Sequence, residues 1–321
     1  MKSKPIYRPL FLEAWKTVWH NKRLWLVGIF ATAMATGGLF ESTNGNWQTA
    51  LKGRMLIEQF INGTIPGYQW LVTYSRYLAA MEPTQQYFLS TMVLLIILAL
   101  VTIGVLAQGA LLAGALEKTP ANFRELLKNG GHFFWRILCL DILGKLGLGL
   151  VFILTVAPVA FLNPLPYGWH KYPPFVSLVL FLVGAILVTI IQMLSLTGVV
   201  RKHLNVRGAI AEAWYILRFH LLVSFELGVL LLITSLLAAL ATLVVLFVLA
   251  LPLTLLFSLA AIIASPILYV VSILISAVLI ISTILLASGL LTAFQYTVWS
   301  LFFEEAGRFG IIAKVTRLFK K

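Results

Sequence analysis

The chain has 321 residues, 60% of them hydrophobic and only 11% charged, with a formal net charge of +13. Ordinary globular chains carry roughly 25% charged residues, so this composition excludes a water-soluble domain. It suits lipid, where a charge at the bilayer centre costs about 2.5 to 3.5 kcal/mol on insertion scales. The excess Lys and Arg stand at the ends of apolar runs and build no soluble basic domain, which excludes nucleic acid as a partner.

Met1 to Arg23 is basic, with Lys2, Lys4, Arg8, Lys16, Lys22 and Arg23. Leu24 to Phe40 is the first apolar run, near the lower limit for a span. Ala33-Met34-Ala35 has the small-residue form of a signal-peptide cleavage site. The leading region is nonetheless long and already carries helical apolar periodicity, so the reading is an uncleaved first span. Glu41 to Gln86 is a mixed loop with turn signals at Asn44-Gly45-Asn46 and Pro66-Gly67, and Trp47, Trp70, Tyr74 and Tyr77 suit a headgroup-level aromatic belt.

The second span is expected over Tyr87 to Leu116, the third over Phe133 to Leu162 and the fourth over Phe175 to Val200. Between the last two, Asn163-Pro164-Leu165-Pro166-Tyr167-Gly168 and Pro173-Pro174 break the helix. Cys139, the only cysteine, lies in the third run and reads as a small packing residue; one cysteine allows neither an intrachain disulfide nor a thiolate metal cluster. Leu221 to Phe303 contains no Lys, Arg, Asp or His, and Glu226 is its one formal charge. A bilayer core is about 30 Å thick and takes roughly 20 helical residues, so this run is too long for one crossing and sufficient for two. Pro252 and Ser265-Pro266 are expected to bracket the turn between them.

Of the 24 Lys and Arg, 19 fall in the N-terminus, Glu117 to Arg136, Arg201 to Arg218 and the C-terminal tail. Four fall in the alternate loops (Lys52, Arg54, Arg76 and Lys171), and Lys145 is inside a span. That bias puts both termini and the first set of segments in the cytosol. It argues for six spans and against three crossings in the last run.

Three of the basic segments share a pattern: Phe11-Leu12-Glu13-Ala14-Trp15, Phe123-Arg124-Glu125-Leu126-Leu127 and Ile210-Ala211-Glu212-Ala213-Trp214. Each has apolar residues at i, i+3 and i+4 and a Glu at i+2, which makes an amphipathic helix. The first face is expected to be Phe11, Ala14, Trp15, Val18 and Trp19. Thr119-Pro120 is expected to start the second helix. A histidine follows each Glu: His20, His132 and His220. The copies begin near 11, 123 and 210, and each opens a pair of spans. Two spans per unit make the repeats parallel. Glu13, Trp15, Glu125, Glu212 and Trp214 are the candidate interfacial residues; the alternative is that these helices pack against the following span.

Phe11-Leu12-Glu13-Ala14-Trp15 with Asn21-Lys22-Arg23-Leu24-Trp25-Leu26-Val27-Gly28-Ile29-Phe30, Phe123-Arg124-Glu125 with Phe134-Trp135-Arg136-Ile137-Leu138, and Ala209 to Trp214 with its apolar sequel resemble a broad group of uncharacterised prokaryotic membrane proteins. That group is similar to the membrane domain attached to some glycerophosphodiester phosphodiesterases. The resemblance implies a six-helix membrane module. It does not imply that enzyme's activity, since the chain has no soluble barrel to hold its metal site.

Ionisable residues inside spans are candidates for function. Asp141 and Lys145 are four apart on one helix face and can pair, and Glu226 is at a similar depth, so the three form a candidate polar cluster able to take an ion or a lipid headgroup. The alternative is a self-neutralising structural set with Lys145 or Glu226 reaching for the headgroups. Gln108, Gln192 and Gln295 lie in different spans and are expected to join helices. Gly104, Gly109, Gly114, Gly144, Gly147 and Gly149 are expected to allow close helix contact, and Glu304-Glu305 to pair with a basic segment. No catalytic triad, metalloprotease, phosphate-loop or dinucleotide motif is present.

The expectation is therefore an all-α polytopic bundle of six spans, a single membrane domain over residues 1–321, with short cytoplasmic interfacial helices before spans 1, 3 and 5. It would sit in the inner (cytoplasmic) membrane. It would be non-enzymatic, organising or supporting the bilayer, with no catalytic residues, metal or cofactor; the alternative is a transporter or channel for a small solute or lipid. Its partners would be bilayer lipids and a membrane protein or a second copy of itself.

Overall fold

The computed structural model describes residues 7–32, 74, 77, 81–115, 122–161 and 172–306, without side chains for 156–161 and 172–175. Nine helices occur among the described residues: α1 (Tyr7–His20), α2 (Arg23–Thr32), α3 (Pro83–Gly114), α4 (Phe123–Gly131), α5 (Phe134–Phe161), α6 (Tyr172–Lys202), α7 (Val206–Phe219), α8 (Leu221–Ile263) and α9 (Pro266–Ala306). Five of them, α3, α5, α6, α8 and α9, are long and apolar enough to cross a membrane. The chain is a multi-pass helical membrane bundle. The ten residues of α2 are shorter than a crossing, and the remainder of the expected first span lies outside the described residues. Of the expected Glu41–Gln86 loop, Pro83 to Gln86 instead open α3, and all but Tyr74, Tyr77, Met81 and Glu82 of the rest lies outside the described residues, as do Asn163–Lys171, Thr119-Pro120 and the basic tail; Pro173-Pro174 stand in the first turn of α6.

The described helices fall into three triplets, each a short helix followed by two apolar ones, α1-α2-α3, α4-α5-α6 and α7-α8-α9; the apolar pair is the longer except at α2, of which ten residues are described against fourteen in α1. The second long helices, α3, α6 and α9, all touch one another and form an inner triangle. The first ones lie outside it, each wedged between two inner helices: α2 against α3 and α9, α5 against α6 and α3, α8 against α9 and α6. Each short helix packs on the inner helix of the unit before it. Thus α4 lies on α3 and α7 on α6, and α1 lies on α9, the inner helix of the third unit. The helix contacts thus close into a ring in which the three triplets have like neighbours.

Like positions of the three short helices are buried. Ala14, Leu126 and Ala213, the residues directly after Glu13, Glu125 and Glu212, are all completely buried. One turn later come Val18, Gly130 and Leu217, also buried. His20, His132 and His220 stand at the corners between the first and second helix of each triplet. The buried stripe of α1 is Leu10, Ala14 and Val18, so the expected face is rotated. Trp15 and Trp19 are instead exposed, stacked on each other at 5.3 Å, and Phe11 meets Phe294 of α9 edge-on at 5.5 Å. Large aromatics suit the rim of a bundle, where ring area is covered on one side only, whereas the close approach to α9 needs Ala14.

Close backbone contact sets the ring's tightness. A methyl at Gly109 would stand 2.8 Å from the Gly130 carbonyl oxygen of α4, and one at Gly114 would stand 2.6 Å from Leu126. Gly147 likewise faces Val188, but Gly149 has nothing near it and is not a contact glycine. Cys139 is exposed, two residues and about 200° round α5 from buried Asp141, which corrects its reading as a packing residue.

Only one of the two expected proline breaks ends a helix. Pro252 lies inside α8, which continues through it to Ile263. The turn is at Ala264, whose φ of 52° is left-handed; its N–H and that of Ser265 close on the Ala260 carbonyl, and Pro266 opens α9. The resulting helices have 43 and 41 residues, roughly 64 and 62 Å at about 1.5 Å per residue.

Candidate functional site

The ring brings polar side chains from four helices to its centre. Asp141 of α5 and Gln108 of α3 are completely buried, Gln192 of α6 is 5% exposed and Tyr296 of α9 is 1% exposed. The Gln192 Nε2 donates to Asp141 Oδ1 at 2.9 Å. Gln108 lies beside the same carboxylate, and Tyr296 is close enough to feel its charge. Asp141 is seven residues into α5 and Gln108 six from the end of α3, which places the centre on the order of 10 Å inside the end where the short helices lie.

Local sequence explains the placement. Gly144, three residues after Asp141, leaves the room that Gln192 occupies; a methyl there would stand 2.3 Å from the Gln192 Oε1. Asp141 and Gly144 therefore share the face of α5 that meets α6, and small residue and acid act as one socket.

The expected cluster is distributed differently. Lys145 is exposed and forms no ion pair with Asp141; its charge acts on the carboxylate only at longer range. One turn of helix carries the longer lysine outward while the acid points in. Glu226 accepts a hydrogen bond from the Tyr7 hydroxyl of α1. α5 packs on the face of α6 that carries Gly184, Val188 and Gln192, whereas Ile186 and Ile190 on its other face meet Gly228 of α8. Asp141 and Glu226 are thus held on different sides of α6, by different partners.

The other polar spans act between helices. Gln295 Nε2 donates to Ser235 Oγ of α8 at 2.7 Å, and Glu304 meets Arg201 of α6 at 2.5 Å. Glu13 and Glu125 are exposed; Glu212 pairs with Lys202 at 2.5 Å. Trp15 and Trp214 are both exposed beside the buried residue of their helices. Tyr296 and Tyr7 were not legible as site residues, since a tyrosine in an apolar run or a basic leader carries no spacing signal.

A concave region of about 540 Å³ opens at the same end, lined by Lys128, His132, Phe133, Arg201 and His203 among others. His203 has a left-handed φ of 54°, and Arg136 donates to its carbonyl at 3.1 Å. No set of three or more His, Cys, Asp or Glu side chains that could hold a metal converges among the described residues. No known family, curated protein or solved structure matches the chain.

Proposed function

We propose that the protein is a non-enzymatic component of the inner (cytoplasmic) membrane that organises lipid in the inner leaflet. On this reading it crosses six times, α2 being the start of the first span, and both termini are cytosolic. The three short helices then lie at the cytosolic surface. The observation that carries the reading is the collar at that end of the bundle. Exposed Trp15, Trp19, Trp135, Trp214, Tyr215 and Phe219 stand among Lys16, Arg124, Arg136, Arg207 and Arg218. Aromatic rings favour the headgroup level, and each basic residue near an anionic leaflet contributes about 1 kcal/mol of attraction. The charge bias of the loops supports the same orientation.

The test is reconstitution in vesicles that mix phosphatidylcholine with a fluorescent phosphatidylglycerol. Energy transfer from a donor dye coupled at Cys139 should show anionic lipid enriched around the protein. Replacing Arg124, Arg136, Arg207 and Arg218 by Gln should abolish the enrichment. Equal transfer before and after that change would refute the reading. Accessibility labelling should place a C-terminal tag in the cytosol.

A second reading, carriage of a small solute, is favoured by one observation: a carboxylate buried in the bundle without an ion pair among the described residues. It predicts solute flux into proteoliposomes that Asp141→Asn removes, and the organising role predicts none.

A further inference from the structure

The centre of the ring has hydrogen-bonding capacity that the protein does not use. Asp141 Oδ1 is paired with Gln192, and Gln108 lies close enough to donate to the same carboxylate, but Gln192 Oε1, Gln108 Oε1 and the Tyr296 hydroxyl have no hydrogen-bond partner among the described residues. All four side chains are at least nine-tenths buried. Buried polar atoms are almost always satisfied, and each one left unsatisfied costs about 1 to 3 kcal/mol. Several unmet atoms around one carboxylate mark a place built for something else.

We propose that this centre binds a monovalent alkali cation, with Asp141 as its charged ligand and Gln108, Gln192 and Tyr296 supplying neutral oxygens. The donor set decides the chemistry. It is all oxygen, with no thiolate or imidazole, which selects hard cations over zinc, copper or iron. It holds one carboxylate, so a single positive charge neutralises it. A divalent ion would leave an uncompensated charge in the apolar interior, and calcium and magnesium sites ordinarily draw on more carboxylates or on several waters. A water molecule could meet the hydrogen bonds but would leave the charge unbalanced. Lys145 does not balance it by contact, because its side chain faces outward. The ligands come from three inner helices and α5, so a bound ion ties the ring together at its axis. The inference concerns binding alone and stands apart from both the organising and the carrier readings.

The experiment uses the full chain purified in mild detergent, with the thermal midpoint followed in NaCl, KCl and choline chloride at equal ionic strength. A ligand that binds only the folded state raises its stability with the logarithm of ligand concentration. The wild type should melt several degrees higher in NaCl or KCl than in choline chloride, and the gain should grow with concentration. Radioactive sodium should bind at about one ion per chain. Asp141→Asn should lose the gain and weaken sodium binding at least tenfold, and Tyr296→Phe should weaken it less. Should Asp141→Asn not fold, Gln108→Leu carries the same expectation, and sodium binding to the wild type decides on its own. The proposal is overturned if the wild type binds no sodium or potassium, or if the gain persists in Asp141→Asn. It is also overturned if the midpoint follows pH alone and is equal in all three salts, since the site would then hold a proton.

Discussion

Gly28 of α2 and Gly289 of α9 stand backbone to backbone: a methyl on Gly28 would lie 2.1 Å from the Gly289 carbonyl oxygen, and one on Gly289 would lie 2.6 Å from the carbonyl oxygen of Trp25. This contact joins the first unit to the third and so closes the ring. Neither neighbour is the end of a flexible side chain, so the helices themselves must separate. Gly28→Ala and Gly289→Ala should each destabilise the fold by about 1 to 3 kcal/mol. Gly149→Ala, with open space around it, should leave the thermal midpoint in detergent unchanged. Equal midpoints for Gly28→Ala and Gly149→Ala would contradict the closure.

Gly144→Ala presses on a side chain instead. Its methyl would meet the Gln192 amide, which can swing away, so folding should suffer less than at Gly28. The movement breaks the bond to Asp141. The variant should melt close to the wild type in choline chloride yet lose most of the gain from sodium. A preserved gain would show that Gln192 is not a ligand.

Tyr7 and Glu226 link α1 to the start of α8. Hydrogen bonds to a charged group are worth about 1.5 to 3 kcal/mol. Tyr7→Phe should therefore lower the midpoint, while Glu226→Gln, which keeps an acceptor, should lower it less. The reverse order would show that Glu226 depends on its charge and not on this hydroxyl.

His220, at the corner between α7 and α8, has its pKa lowered by burial from the ordinary 6.5. The folded state then binds the proton less tightly than the unfolded state. Stability at this residue is therefore intact above about pH 6.5 and falls as pH drops through the lowered value. His220→Gln should flatten the dependence of the midpoint between about pH 5 and pH 7. An unchanged slope would mean that the corner stays hydrated.

The spans were legible because lipid imposes length and hydropathy on them. α3, α5 and α6 begin and end within a few residues of where the apolar runs place them. The Glu-to-His pattern falls on the three short helices and the corners that follow them. Helix faces were not. A residue pointing at lipid and one pointing at a neighbouring helix are both apolar, so periodicity misplaced Trp15 and Trp19 and could not reveal that Cys139 faces outward. For the same reason nothing in the linear order announced that α1 rests on α9. Asp141 was identifiable by its charge, but its real company, Gln192, Gln108 and Tyr296, is set by the packing of the inner triangle. Glu226 likewise found its partner in a leader segment more than two hundred residues away.

Because α1 sits on α9 as α4 sits on α3 and α7 on α6, the junction between α9 and α1 is equivalent to the two that the chain passes through unbroken. A gene opened between α3 and α4, with residue 306 tethered to residue 7, should still yield the same protein.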